Sequence, residues 1–311
     1  MLTLSHQLRP LQTLLILFTT WKSLLLLLAL LTNLASDYDT STSLLFAQLY
    51  GPNVSLPLLT TRLTRWDAIY YVRAARHGYV YEQEWAFGAG VSRSISYISN
   101  LIRASGLPLN DGVEPLVGIA LSHVYHLLAV VMLYKLTLLV SRNAKTAFVS
   151  AFLCIITPGG AFLSSPYGES PFSGLAFTGI YLFAWNYAHA GNCVSKSVAL
   201  TLSGAFIGLA TTCRSNGLSY GILFAVEAVR GGLEFLSGPS LDGVVTLAGT
   251  IMGGILVAAG IVVPQVAAYL RYCTGEAEGS RPWCTQTIPS IYSFVQAEYW
   301  YVTSKPIASI Y

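Results

Sequence analysis

The sequence predicts an all-α, polytopic membrane protein: a bundle of about seven transmembrane helices with a large first lumenal loop containing short amphipathic helices. Three observations carry this. Of 311 residues, 54% are apolar and only 10% charged, against about 25% charged in an ordinary soluble domain, and the mean hydropathy is +0.58. Apolar stretches of roughly 20 residues, the length that crosses a bilayer, recur along the chain. Lysine and arginine fall in the short loops of one side, as the positive-inside rule expects.

The expected spans are residues 12–35, 115–140, 145–164, 170–190, 196–213, 216–230 and 244–270. The first is interrupted by Lys22, which costs about 2.5–3.5 kcal/mol at a helix centre. The leucine run 24–28 and snorkelling of the lysine stem offset that cost. This segment reads as an uncleaved anchor. The other reading makes 23–31 the apolar core of a signal peptide cleaved after Ala35, with Asn33 where a small residue is wanted. Both deliver the following segment to the lumen.

Arg142, Lys145, Lys196 and Arg230 then lie in cytosolic connections, and Lys135 snorkels toward the same side. The loop 36–114 also carries six arginines, at 62, 65, 73, 76, 93 and 103, but loops of this length are exempt from the charge rule. Asn53-Val54-Ser55 is a glycosylation sequon in that loop. The chain is therefore one membrane domain, 1–311, divided into the lumenal loop 36–114, the bundle 115–270 and a lumenal tail 271–311.

Several function classes are excluded. A net charge of +3 without a basic, aromatic-interleaved patch gives no support for nucleic-acid binding. There is no P-loop and no GxGxxG between strand and helix. The five cysteines show no zinc spacing; Cys273 and Cys284 share one polar segment and pair if it faces an oxidising lumen. His123 and His126, at i and i+3, lack a third ligand at a fitting spacing and read as buried hydrogen-bonding groups, so no metal site is expected.

On the expected topology the unusual residues collect on the lumenal side. Asp67 stands first, just after a tryptophan in Arg65-Trp66-Asp67-Ala68-Ile69-Tyr70-Tyr71. Thr64 to Asp67 fit a capping-box pattern before a helix that runs to about His77 and stops at Gly78. Asp67 is thus either a helix cap or a general base at the membrane surface, kept ionised by the helix N-terminus and made more basic by desolvation. Glu82 and Glu84, in Tyr79–Phe87, read as a wet loop with aromatic anchors or as substrate contacts. Residues 85–104 read as an interfacial helix with Phe87, Val91, Ile95 and Ile98 on one side, able to roof a cavity opening to lipid. Arg214 sits in a short lumenal loop, against the charge rule, which suits phosphate recognition. Pro158-Gly159-Gly160 and Pro166 loosen the third span at the same end, where irregular backbone is tolerated if it lines a cavity.

In order, Arg65-Trp66-Asp67, Tyr79–Phe87, Ser165-Pro166-Tyr167-Gly168-Glu169-Ser170, Arg214-Ser215-Asn216-Gly217, Arg281-Pro282-Trp283-Cys284 and Pro289–Gln296 resemble the GPI mannosyltransferase 2 family (PIG-V type). The resemblance covers about residues 12–300. It implies a GT-C-like bundle in the endoplasmic reticulum membrane that adds the second mannose, α-1,6, to the GPI precursor from dolichyl-phosphate mannose at the lumenal face. A β-linked donor and an α product imply inversion by single displacement. The implied roles are Asp67 as base, Arg214 near the phosphate, and Glu82, Glu84 and Glu169 on sugar hydroxyls or acceptor amines. Arg65, Trp66, Tyr167 and Asn216 are further substrate contacts carried by the same motifs. No cofactor or metal is required, because the phosphate leaving group already carries its charge. The implied partners are the two lipid-linked substrates and a small membrane subunit.

Members of this family continue with further spans after the block 289–296, whereas this chain ends at Tyr311, so it reads as truncated at its C-terminus. Two other readings remain open: a transporter or lipid-handling protein, and an inactive scaffold subunit of a GPI-assembly complex.

Overall fold

The computed structural model describes residues 9–34, 39–106, 111–189, 191–274 and 281–300. The described residues are helices, turns and loops, with no strand among them. Asn33 has no described side chain, and Ala35, the proposed cleavage position, lies outside the described residues, as does much of the tail 271–311.

The elements are α1 (Pro10–Leu31), α2 (Ser41–Tyr50), α3 (Leu58–Leu63), α4 (Ala68–His77), α5 (Ala89–Ala104), α6 (Val113–Ser141), α7 (Ala144–Ile155), α8 (Glu169–Ala188), α9 (Cys193–Cys213), α10 (Gly221–Ser237), α11 (Leu241–Tyr272) and α12 (Ile291–Val295). Helices α1, α6, α9 and α11 are long and apolar enough to cross a membrane. With α7, α8 and α10 they occupy the seven expected stretches. The protein is an all-α, multi-pass membrane protein.

The third stretch differs from expectation. Its helix α7 ends at Ile155 after 12 residues, only about 18 Å of rise, instead of continuing to 164. Pro158 explains the stop, because the residue before a proline is pushed out of the helical region. The chain then turns through a 3₁₀ segment, Phe162–Ser164, and enters α8 at Glu169. Lys22 of α1 holds this irregular stretch: its ammonium donates to the Leu163 carbonyl at 3.1 Å and to Ser164 Oγ at 2.8 Å. The lysine that looked like a flaw in the first span is therefore a buried clamp.

The long helices pack in the order α1, α7, α6, α8, α9, α11, α10. The α9–α11 contact is the most extensive and is made by small residues. A Cβ on Gly204 would collide with the backbone of Gly253, and one on Gly260 with the carbonyl of Gly208. This is the small-residue packing that lets membrane helices approach closely.

The first loop is a helical cap on one end of the bundle. Ala68, Tyr71 and Ala75 of α4, with Val91 and Ile95 of α5, share one buried cluster with Val117 of α6, Leu175 and Ala176 of α8, and Ala210 and Cys213 of α9. The expected apolar side of residues 85–104 is thus buried on the bundle, from α5 onward. At the far edge of the cap, Glu114 is fully buried and receives Arg76, Arg103 and the Tyr50 hydroxyl. The turn 156–168, the 3₁₀ segment Ser215–Tyr220 and the end of α11 meet at this same end. Arg142, Lys145, Lys196 and Arg230 lie at the opposite one.

Candidate active site

The left-handed backbone at Trp66, φ 51°, turns the chain into α4 and is rare for a bulky residue. Tyr167 holds this turn: its hydroxyl donates to the Arg65 carbonyl at 2.9 Å. The rings of Trp66, Phe162 and Tyr167 stack in series at 5.6 and 5.5 Å. Arg65 reaches back to Asp39, donating to its carbonyl at 3.3 Å. Asp67 follows at the N-cap position of α4, yet its side chain makes no capping hydrogen bond. The helix expected to end at Gly78 does so, with φ 74° at that glycine, but the capping box is absent. The Asp67 carboxylate is left for other work.

It faces a cavity of about 520 Å³ at the capped end of the bundle. Asp67 and Tyr71 of α4, the Trp85–Ala89 segment, Arg214 to Asn216 after α9, Pro264 and Gln265 of α11, and Tyr292 and Gln296 form its walls. Close packing brings the Gly88 segment against the carboxyl end of α9: a Cβ on Gly88 would strike the carbonyls of Thr212 and Cys213. Arg214 is paired with Glu169, the first residue of α8. The desolvation of Asp67 pushes its carboxyl above the usual carboxylate range, the negative charge of Glu169 adds to this, and Arg214 opposes it. Burial likewise raises the Tyr71 hydroxyl, with Glu169 reinforcing it. A carboxylate of raised basicity beside a guanidinium can take a proton from one group while a neighbouring anion is stabilised.

The structure thus brings together Asp67, Glu169, Arg214 and Asn216. Trp66 and Tyr167 adjoin the same turn, and Arg65 and Tyr167 hold it rather than line the cavity. Glu82 and Glu84 are elsewhere, and the expectation of a wet loop needs correction. Neither is wet: they are 8% and 2% exposed. Glu84 pairs with Arg73 and accepts the backbone N–H groups of Val80 and Tyr81 at 2.6 and 2.9 Å. Glu82 accepts from Trp283 Nε1 at 3.0 Å and faces Arg281 at 3.3 Å. Their oxygens anchor the loop and the tail.

Tyr71, Gln265 and Tyr292 were missed as cavity residues. Gln265 Oε1 accepts from Ser290 Oγ at 3.1 Å and from the Tyr292 N–H at 3.3 Å, and Ser215 Oγ donates to Tyr292 Oη at 3.0 Å. One signal was available for Gln265: an amide beside a proline within an otherwise apolar span is costly unless it faces protein or a cavity. His123 and His126 contact the carbonyls of Ile119 and Cys154 at 2.8 and 3.1 Å, as expected. No metal-binding cluster occurs among the described residues. Cys273 and Cys284 form a disulfide, resolving the question left by their spacing.

Comparison with known proteins gives a family and its members. The family described as Mannosyltransferase (PIG-V) matches residues 11–304. A relative from Gibberella zeae, GPI mannosyltransferase 2, is 44% identical over 297 residues, covering 96% of this chain and 68% of its own length. The protein of the same name from Aspergillus oryzae is 38% identical, over 94% of this chain and 67% of its own length. That from Schizosaccharomyces pombe is 32% identical, over 76% of this chain and 47% of its own. With the family matching nearly end to end and a relative at this identity, the chain belongs to the PIG-V mannosyltransferase family.

Proposed function

We propose that this protein adds the second mannose, in α-1,6 linkage, to the GPI-anchor precursor, taking it from dolichyl-phosphate mannose at the lumenal face of the endoplasmic reticulum. The observation that carries the reading is the meeting of Asp67 with the Arg214–Glu169 pair at one cavity of a mannosyltransferase-family protein.

In this reading the acceptor 6-hydroxyl oxygen attacks the anomeric carbon of the donor mannose. Its proton passes to an Asp67 oxygen as the new carbon–oxygen bond forms. The bond from the anomeric carbon to the phosphate oxygen breaks, and its electron pair leaves on dolichyl phosphate. One displacement inverts the anomeric centre. Arg214 faces the departing charge, and Glu169 keeps the guanidinium in position. Asn216 and Tyr71 supply polar contacts to the sugars. Trp66, stacked on Phe162 and exposed to solvent, offers an aromatic face at the cavity's edge. The α11 wall, through Ile261 and Pro264, adjoins the outward-facing Val262, Val263 and Val266, a route for a polyprenyl chain from the bilayer. Glu82 and Glu84 act here as positioning residues for the loop.

The test is complementation of cells that lack the second GPI mannosyltransferase. Expression of this chain is expected to restore surface GPI-anchored protein and clear the one-mannose precursor. Unchanged accumulation of that precursor, at normal membrane levels of the protein, would overturn the assignment.

A further inference from the structure

A second cavity, about 330 Å³, lies on the other side of Trp85 from the one that Asp67 faces. Its walls come from Ala74, Ala75, Arg76 and Gly78 around the end of α4, from Ser92, Arg93 and Ser96 of α5, and from Ala267 and Arg271 of α11. Three guanidinium groups therefore surround one small space. Arg76 pairs with the buried Glu114, and among the described residues no carboxylate pairs with Arg93 or Arg271. Arg271 lies beside the Tyr272 ring, at 5.8 Å.

Trp85 supplies the second observation. The residue is 8% exposed, and its buried Nε1 has no acceptor among the described residues. Its neighbour Trp283, by contrast, donates to Glu82. A buried donor left without a partner is costly, so such a group in a native wall points to an acceptor supplied from outside the chain. The same indole also walls the Asp67 cavity, so the two spaces adjoin across one ring. Arg271 stands at the last turn of the membrane helix α11, the depth at which lipid phosphates lie.

We propose that this cavity binds the phosphodiester of the acceptor glycolipid, whose glycan then passes Trp85 to place its reactive hydroxyl at Asp67. The assignment rests on the mannosyl-transfer reading above, and deepens it by giving donor and acceptor phosphates separate sites. Two planar guanidinium groups suit a phosphodiester, whose paired oxygens accept hydrogen bonds from such forks. The space also admits a headgroup ring beside the phosphate.

The test uses the full chain, reconstituted in phosphatidylcholine nanodiscs, with two readouts. In steady-state transfer, the Arg93→Gln, Arg271→Gln double variant is expected to raise the acceptor KM by about tenfold or more, with donor KM and kcat at saturating acceptor within about twofold. A rise in donor KM instead would overturn the proposal, as would an unchanged acceptor KM. In the second readout, phosphatidylinositol retained by Asp67→Asn protein is measured by native mass spectrometry, with and without the two arginine substitutions. Retention that falls when Arg93 and Arg271 are replaced supports the site; retention unchanged by the two substitutions contradicts it. If arginine-dependent phosphatidylinositol retention is found but the unsubstituted protein transfers no mannose, the transfer reading fails and the phosphodiester site stands.

Discussion

Asp67 sits at a helix start without capping it, and the two charges that act on it have opposite effects. Desolvation and Glu169 raise its proton affinity, whereas Arg214 lowers it. A base with raised affinity works until pH falls through its pKa, so the acidic limb of the rate profile is expected above the ordinary carboxylate range. Glu169→Gln removes a negative neighbour and leaves Arg214 unopposed. Both changes lower the Asp67 pKa, and the acidic limb should move to lower pH. Arg214→Gln acts the other way and should move it to higher pH, while also lowering kcat by about 10²–10³ through loss of charge stabilisation on the leaving phosphate. The pH dependence of kcat/KM for the three proteins checks the pair of signs; limbs that shift together would contradict this electrostatic arrangement. The place of Asp67 at the polar end of the bundle was legible from its motif and position. Glu82 and Glu84 were misread because spacing along the chain cannot show that Arg73, Trp283 and two backbone amides occupy their oxygens.

Helix α1 and the α9–α11 pair make their contributions through contacts far apart in sequence. Lys22 meets Leu163 and Ser164, about 140 positions away, so hydropathy alone counted it as a penalty. Lys22→Met removes a buried charge and should insert into the membrane at least as well as the native chain. It should also free the turn that carries Tyr167 and Glu169, with amide exchange at 162–167 faster by about tenfold or more, through the loss of two charged hydrogen bonds. Unaltered exchange there would show that Lys22 is not the clamp. Two glycines, one on α9 and one on α10, give a paired comparison. Gly204→Ala forces a methyl group into the backbone of α11 and should destabilise the protein by about 1–3 kcal/mol, seen as a lower Tm in detergent. Gly232→Ala, on the open face of α10 where nothing lies within 4 Å, should leave Tm unchanged or raise it, since alanine favours helix by about 1 kcal/mol. The long apolar helices were legible because a bilayer demands length and hydropathy that few other folds require. The early end of α7 was legible only in part: Pro158-Gly159-Gly160 marked a loosened span, but the stretch beyond stays apolar, which carried the expected span on to 164.

The molecule as a whole places a helical loop and a disulfide-closed tail over one end of a membrane bundle. The tail closes the cavity through Tyr292 and Gln296 and is fixed by the fully buried Trp283, by Glu82 and by the Cys273–Cys284 bond. That bond closes a loop of 11 residues and is expected to contribute about 2–4 kcal/mol. Replacing both cysteines by serine should lower Tm by several degrees and loosen the wall that Tyr292 supplies; an unchanged Tm would show the tail held by its other contacts alone. The end of the bundle that gathers the chemistry followed from charge placement, and the family from ordered motifs. The division of the polar space into two cavities across Trp85 was not legible, since it depends on α5 and α11 converging from positions more than 170 residues apart.

The most direct test is mannose transfer by the purified, reconstituted protein, comparing the native chain with Asp67→Asn at equal amounts in the membrane. Labelled mannose should pass from dolichyl-phosphate mannose to the one-mannose GPI precursor, and the substitution should reduce kcat by about 10²–10⁴ with the thermal stability of the protein unchanged. Transfer by Asp67→Asn at the native rate would contradict the assignment of Asp67 as the base.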